Sequence, residues 1–247
     1  RLISDNILVA FESLHSKQKH TGKDGFMAIK LDMSKAHDRV EWPYLEAVMK
    51  KLGFNDRWIK LLMLCVTTVS YSILVNGEPK GLIHPSRGIR QGDPISPFLF
   101  LLCTEGFHGL LSQAAAHGDI RGYSLSRNSP RLTHLFFADD SLLFCRSTIQ
   151  ECQKILEILD TYGRCSGQQI NRNKTTIFFS KSTDEDTRNH IKLALEVEEI
   201  KQYEKYLGLP SLVGKNKKAN FNYIKERVWR KFKGGKRSSY HKQEGKS

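Results

Sequence analysis

Phe136-Phe137-Ala138-Asp139-Asp140-Ser141-Leu142-Leu143-Phe144 sets two adjacent carboxylates between two short runs of bulky apolar residues. That pattern predicts a β-hairpin whose turn presents paired negative charge at the rim of a core. Two like charges so close repel, and a cation between or beside them offsets the repulsion. Oxygen-only ligands favour a hard divalent ion, Mg²⁺ or Mn²⁺, the ions of phosphoryl transfer. An Asp-Asp pair is also ordinary turn chemistry on a soluble hairpin, so these residues alone leave both readings open.

The chain around this stretch has 247 residues, enough for one substantial core or two modest ones. No apolar run reaches membrane-spanning length, and Arg1 opens into a polar stretch without a signal-peptide core, so no membrane partner is expected. A first residue other than Met reads as an excerpt of a longer frame. Cys65, Cys103, Cys145, Cys152 and Cys165 are odd in number and lack CxxC spacing. Several lie in apolar runs, as buried reduced thiols do, which favours an intracellular setting, nuclear or cytoplasmic, over a disulfide scaffold or a zinc site. Residues 1–200 carry 25 Lys/Arg against 23 Asp/Glu, whereas residues 201–247 carry 14 against 3, most of the formal charge of +13. A basic block beside a carboxylate site suits a polyanionic partner, and a solvated basic tail has the same composition.

Periodicity predicts a helix over 5–17, then a strand from Phe26 to Met33 with Met27, Ile29, Leu31 and Met33 on one face. Asp32 falls on the opposite face at the strand's end. Helices are expected over 42–52 and 57–66, then strands over 70–75 and 81–85, with Asn76-Gly77 as a hairpin signal. Arg87–Pro97 reads as a loop feeding a long apolar helix over 98–116. The Asp-Asp hairpin spans 132–146, a helix follows over 149–166, Thr175–Phe179 is a strand, and 221–232 is a basic helix. Frequent hairpins between irregularly spaced helices give an α+β fold, an antiparallel sheet covered by helices. After Phe232 the apolar pattern stops, and 233–247 is expected to be a disordered basic tail.

If Asp32 and Asp139-Asp140 meet at one sheet edge, three carboxylates can hold two divalent ions about 3.5–4 Å apart. Catalysis would then be positioning and charge neutralisation, with little covalent work for the protein.

Leu31-Asp32-Met33-Ser34-Lys35-Ala36-His37-Asp38, Arg90-Gln91-Gly92-Asp93-Pro94-Ile95-Ser96-Pro97 and Phe137-Ala138-Asp139-Asp140 follow the order of reverse-transcriptase motifs A, B and C. Ser166-Gly167-Gln168-Gln169-Ile170-Asn171 through Lys174 resembles motif D, and Tyr206-Leu207-Gly208-Leu209-Pro210 resembles the block after it. The whole is similar to the polymerase of plant LINE-type (non-LTR) retrotransposons, over Arg1 to about Phe232.

The resemblance implies a right-hand polymerase. Residues 1–200 would be partial fingers and palm, and 201–232 the primer-grip region and the start of the thumb. It implies an RNA template, a DNA primer and dNTP as partners, and two Mg²⁺ or Mn²⁺ ions as cofactors. Asp32 and Asp139 would be the principal metal ligands, with Asp140 alongside and the backbone carbonyl of Met33 facing a metal. Gln91 and Gly92 would line the incoming nucleotide. Lys174 resembles a motif D lysine that protonates departing pyrophosphate, although a solvated turn lysine has the same signature. Leu207 and Gly208 would help hold the primer end, and an ordinary tight turn also explains them. His37 stands where the family usually carries Tyr or Phe beneath the sugar. A smaller, polar imidazole implies a weaker barrier to ribonucleotides.

Family fingers include an upstream segment with a basic residue that meets the triphosphate, and relatives continue into a patterned thumb. A fused endonuclease is also expected outside these residues. On this pattern the isolated chain is expected to polymerise poorly or not at all. A decayed, non-catalytic remnant that at most binds nucleic acid is the alternative reading. A two-metal nuclease gives no role to the Gln91-Gly92 loop, and a P-loop nucleotidase lacks its spacing.

Overall fold

The computed structural model describes residues 3–19, 25–124, 126, 129–200, 205–206, 209–210, 222 and 225–232. It divides into two compact units, Arg1–Lys201 and Gln202–Ser247.

The first unit is organised around β1 (Phe26–Leu31). Its apolar alternation makes it the middle strand of a five-stranded sheet that also holds β4 (His134–Phe137), β5 (Asp140–Arg146), β6 (Thr176–Phe179) and β7 (Glu198–Glu199). The strand order is β4-β5-β1-β6-β7. β1 runs antiparallel to both β5 and β6, with Met27 opposite Cys145 and Phe179, and Ile29 opposite Leu143 and Ile177. All six of these side chains are buried in one core. The opposite face is covered too: Ala28, Leu135, Leu142 and Phe144 are buried. Burial on both faces explains why Leu142-Leu143-Phe144 reads as a continuous apolar run rather than an alternating one.

Helices α4 (Ser96–His117) and α5 (Ile149–Ser166) contribute Phe107, Leu111, Ile155 and Leu159 to that core. Pro97 stands in the first turn of α4, which its fixed φ suits, and the Asp93 carboxylate accepts the Ile95 N–H at 3.0 Å. α5 is capped by Thr148, whose hydroxyl accepts the Glu151 N–H. A second core joins α2 (Trp42–Lys51) and α3 (Asp56–Thr67) to the start of α4 through Leu45, Met49, Ile59 and Leu99. Between α3 and α4, β2 (Tyr71–Val75) and β3 (Glu78–Ile83) form a separate hairpin that is exposed along its whole length. Its turn has Asn76 and Gly77 both at positive φ, the I′ pattern that Asn-Gly predicts. Burial raises the Cys103 thiol to about 12 and the Cys152 thiol to about 11, as expected of reduced core cysteines.

Several elements differ from the sequence expectation: β3 spans Glu78–Ile83 rather than 81–85, because the two-residue Asn76-Gly77 turn starts the return strand at once, and β7 was not expected. α1 runs Ile3–Lys19, longer at both ends than its apolar stripe. β1 stops at Leu31 because the next two residues bond elsewhere, as described below. Helix α6 (Glu185–Leu195) was not expected: it buries only Ile191 and Leu195, so its apolar stripe is thin, and its cap is Asp184, which accepts the Thr187 N–H at 2.8 Å.

In the second unit, β8 (Lys205–Tyr206) pairs antiparallel with β9 (Leu209–Pro210), and 225–232 is helical. The expected tail at 233–247 lies outside the described residues. Among the described residues no helix is long and apolar enough to cross a membrane.

Candidate active site

Register brings the distant carboxylates to one edge. Along β1 and β5 the partners are Phe26 with Arg146 through Leu31 with Ser141, so one further step sets Asp32 level with Asp140. The Ser147 N–H bond to the Gly25 carbonyl (3.0 Å) fixes the alternation of that ladder. Odd-numbered β1 residues exchange bonds with β5, and Asp32 continues the closer, non-hydrogen-bonded series. Like charges directly opposite in such a pair destabilise a sheet. Asp139 stands one residue away on the exposed turn, where Ala138 has a φ of 52°. A positive φ at the first turn residue only is the II′ pattern, which ordinarily selects glycine. Alanine there stores strain of about 1–3 kcal/mol, a feature that clusters at functional sites.

Asp32 is fixed from the other side. Its N–H donates to the Thr175 hydroxyl at 3.2 Å, and its carbonyl accepts the Asn171 N–H at 2.8 Å. Met33 then bridges to Ile170, and the Ser34 N–H donates to the Gln169 carbonyl at 2.7 Å. These bonds end β1 after Leu31 and bring the 167–175 segment alongside the carboxylate edge. Gln168 completes the join: its buried amide donates to the Ala36 carbonyl at 2.7 Å. Lys174 is exposed in the turn closed by its own N–H to the Asn171 carbonyl, directly before Thr175. Thus Asp32, Asp139, Asp140 and Lys174 fall at neighbouring positions of one sheet end.

Gln91 and Gly92 form a second locus, exposed before α4. Gly92 has a φ of +84° with open space where a side chain would stand, so glycine serves backbone conformation there, not close packing within the protein. The loop is tied to the turn after Asp32: Gly88 N–H bonds to the Val40 carbonyl (2.8 Å), and Ile89 N–H to the His37 carbonyl (2.9 Å). His37 is half-buried and stacks on Phe100, with ring centroids 4.7 Å apart and planes 16° from parallel. Beside it a cavity of about 420 Å³ is lined by residues that include Asp38, Arg87, Arg90 and Gln91. The two arginines were missed in the sequence. Their signal was the Arg-Gly-Ile-Arg spacing, and both line the same cavity. Arg87 also pairs with Glu41 at 3.3 Å. Leu207 and Gly208 lie outside the described residues.

Carboxylates at neighbouring backbone positions are the donor type that suits a hard divalent ion. Among the described residues, however, no three His, Cys, Asp or Glu side chains converge closely enough to hold a metal ion.

Residues 3–221 match the family model described as reverse transcriptase (RNA-dependent DNA polymerase). The chain belongs to the reverse transcriptase family. It is 28% identical over 149 residues to a Pol polyprotein from the type-1 retrotransposable element R2 of Popillia japonica, covering 60% of this chain and 23% of that one. It is 26% identical over 181 residues to an uncharacterized 149 kDa protein of transposon TX1 of Xenopus laevis, covering 71% of this chain and 13% of that one. An uncharacterized mitochondrial protein of Arabidopsis thaliana is 56% identical over 68 residues, 28% of this chain and 56% of the relative. The chain therefore spans between about an eighth and just over half of these relatives. They agree with a reverse transcriptase of the non-LTR retrotransposon type; the plant affiliation rests on the 68-residue match alone. Among solved structures, telomerase from Candida albicans, determined with a fragment of telomeric RNA, superposes with a TM-score of 0.55 at 15% identity, over 84% of this chain and 32% of that one. The α+β fold is thus that of a right-hand polymerase palm.

Proposed function

We propose that this chain is the palm-centred part of an RNA-directed DNA polymerase that extends a DNA primer on an RNA template. In that reaction the primer 3′-oxygen bonds to the α-phosphorus of a dNTP, the bond from that phosphorus to the β-phosphate oxygen breaks, and pyrophosphate leaves. Residues 1–200 then supply partial fingers and palm, and 201–232 the primer-grip region and the start of the thumb. The observation that carries the reading is the β1–β5 register, which sets Asp32 level with Asp140 at one sheet edge in a member of this family.

Asp32 and Asp139, with Asp140 alongside, are the residues that would hold two divalent ions. When bound, such ions neutralise charge on the attacking and leaving oxygens. Lys174 stands beside the same edge as the candidate proton donor to the pyrophosphate. Gln91, with Gly92 next to it in sequence, lines the cavity into which Arg87 and Arg90 bring positive charge, suited to a triphosphate. An intracellular setting follows from such partners.

His37 occupies the sugar-side position. Its ring is committed to Phe100, which leaves a smaller barrier than a phenol would. His37→Tyr is expected to raise discrimination of dNTP over rNTP, read from primer extension with each nucleotide. Unchanged selectivity removes His37 from that role.

The test of the main reading is Mg²⁺-dependent dNTP incorporation on a primed RNA by the whole chain and by Asp139→Asn. Weak incorporation abolished by the substitution supports the polymerase. Equal incorporation in both contradicts the site, and none in either favours a catalytically inactive remnant that at most binds nucleic acid.

A further inference from the structure

Phe136 is the last residue of β4 whose backbone faces away from β5 before the Ala138-Asp139 turn. The Phe144 N–H bond to the Thr133 carbonyl at 2.7 Å fixes the alternation of the β4–β5 ladder. Thr133, Leu135 and Phe137 exchange bonds with β5, whereas His134 and Phe136 direct theirs to the outer edge. β4 is the edge strand of the sheet, and an edge carbonyl ordinarily meets water or another chain.

Here it meets α1. Asn6 donates its Nδ2 to the Phe136 carbonyl at 2.9 Å, across 130 residues of sequence. The Asn6 side chain is only 3% exposed, although Leu8 and Val9 of the same helix are exposed. A buried amide persists where its partner is fixed in place. The helix is anchored further along by buried Ala10, Ser13 and Leu14, and the Tyr123 hydroxyl donates to the Ser16 hydroxyl at 2.7 Å. On the core side, the Phe136 ring stacks on Phe107 with centroids 5.2 Å apart. The base of the carboxylate turn is therefore held by β5 along the ladder, by Phe107 in the core and by Asn6 at its outer edge.

We infer that Asn6 is a positioning residue: through the Phe136 carbonyl it sets how β4 enters the strained turn, and so where Asp139 and Asp140 stand relative to Asp32. The catalytic consequence rests on the polymerase reading above; the hold on the turn does not.

The experiment uses the whole chain. Asn6→Leu keeps the branched shape of the side chain and deletes its donor. Backbone hydrogen exchange is expected to rise about tenfold at 137–141 while α5 and β6 stay within about twofold of the wild type. Mn²⁺ affinity is expected to fall by a similar factor, with Asp139→Asn as the reference for loss of a ligand. Should Leu overpack and unfold the chain, Asn6→Ala makes the same comparison without added bulk. Exchange at 137–141 that matches the wild type shows Asn6 to be a space-filler and overturns the inference. A uniform rise across all elements, or a loosened turn with unchanged Mn²⁺ affinity, also overturns it. If Asp139→Asn leaves Mn²⁺ binding intact, the polymerase reading is what fails, and the exchange result still decides whether Asn6 holds the turn.

Discussion

The central strands β1, β5 and β6 and the β2–β3 hairpin are both antiparallel, yet they are ordered by different forces. In the central sheet, β1 joins partners more than 100 residues away, and Met27, Ile29 and Leu143 are entirely buried. Non-local pairing there is held by burial on both faces. In the hairpin every residue of both strands is exposed, and what fixes its register is the two-residue Asn76-Gly77 turn. The lesson concerns the site: carboxylates that must meet across a long stretch of chain stand on the buried sheet, not on the locally encoded ribbon.

The largest expected break in this comparison comes from truncating one side chain in each region. Phe144→Ala, at a fully buried position, is expected to cost about 3–5 kcal/mol in urea unfolding. Leu74→Ala, at a position 69% exposed, is expected to stay within about 0.5 kcal/mol. Comparable costs at both positions would end the distinction.

Glycines sharpen the contrast at smaller scale. Gly167 and Gly77 both have positive φ, but only at Gly167 would an added Cβ collide with backbone, the Arg39 carbonyl that follows the Asp32 turn. Gly77→Ala is therefore expected to cost about 1–2 kcal/mol from conformation alone. Gly167→Ala should cost more and should also slow primer extension, because it displaces the segment that brackets Asp32. Equal thermal shifts, with extension unaffected, would show that the join between 167–175 and the turn after Asp32 does not matter.

The smallest effect concerns α6, at the edge of the buried sheet. The Asp184 carboxyl is held below its ordinary value, chiefly by the Thr187 N–H bond. A lowered folded-state value means that the cap stabilises above the ordinary carboxylate range and is lost as pH falls through the lowered value. The thermal midpoint of wild type over Asp184→Ala should thus be higher at neutral pH, the gap closing in acid. A gap independent of pH would assign the cap's effect to something other than its charge.

Much of this architecture could be read from residues. The alternation of Met27, Ile29 and Leu31 gave the face of β1, and Asn76-Gly77 gave its hairpin. Thr148 and Gly167 bound α5 as N-cap and left-handed stop. What period and turn chemistry cannot supply is which strands are neighbours. The placement of Asp32 at a strand end and of Asp139-Asp140 on a turn only suggested that they meet, and the motif order of a family added to that inference, since two strands over 100 residues apart carry no local signal of pairing. Asn6 and Gln168 were silent for a related reason: a polar residue in a helix or loop reads as solvated until its distant carbonyl partner is known. Helix α6 escaped because two buried residues make a weak stripe.

The most direct measurement is Mn²⁺ binding to the whole chain, followed by electron paramagnetic resonance, beside Asp32→Asn and Asp139→Asn. The proposed ion site between the end of β1 and the β4–β5 turn predicts saturable binding that each substitution weakens by at least about tenfold, with near-ultraviolet circular dichroism unchanged. Binding indifferent to both substitutions would contradict a shared site at that edge.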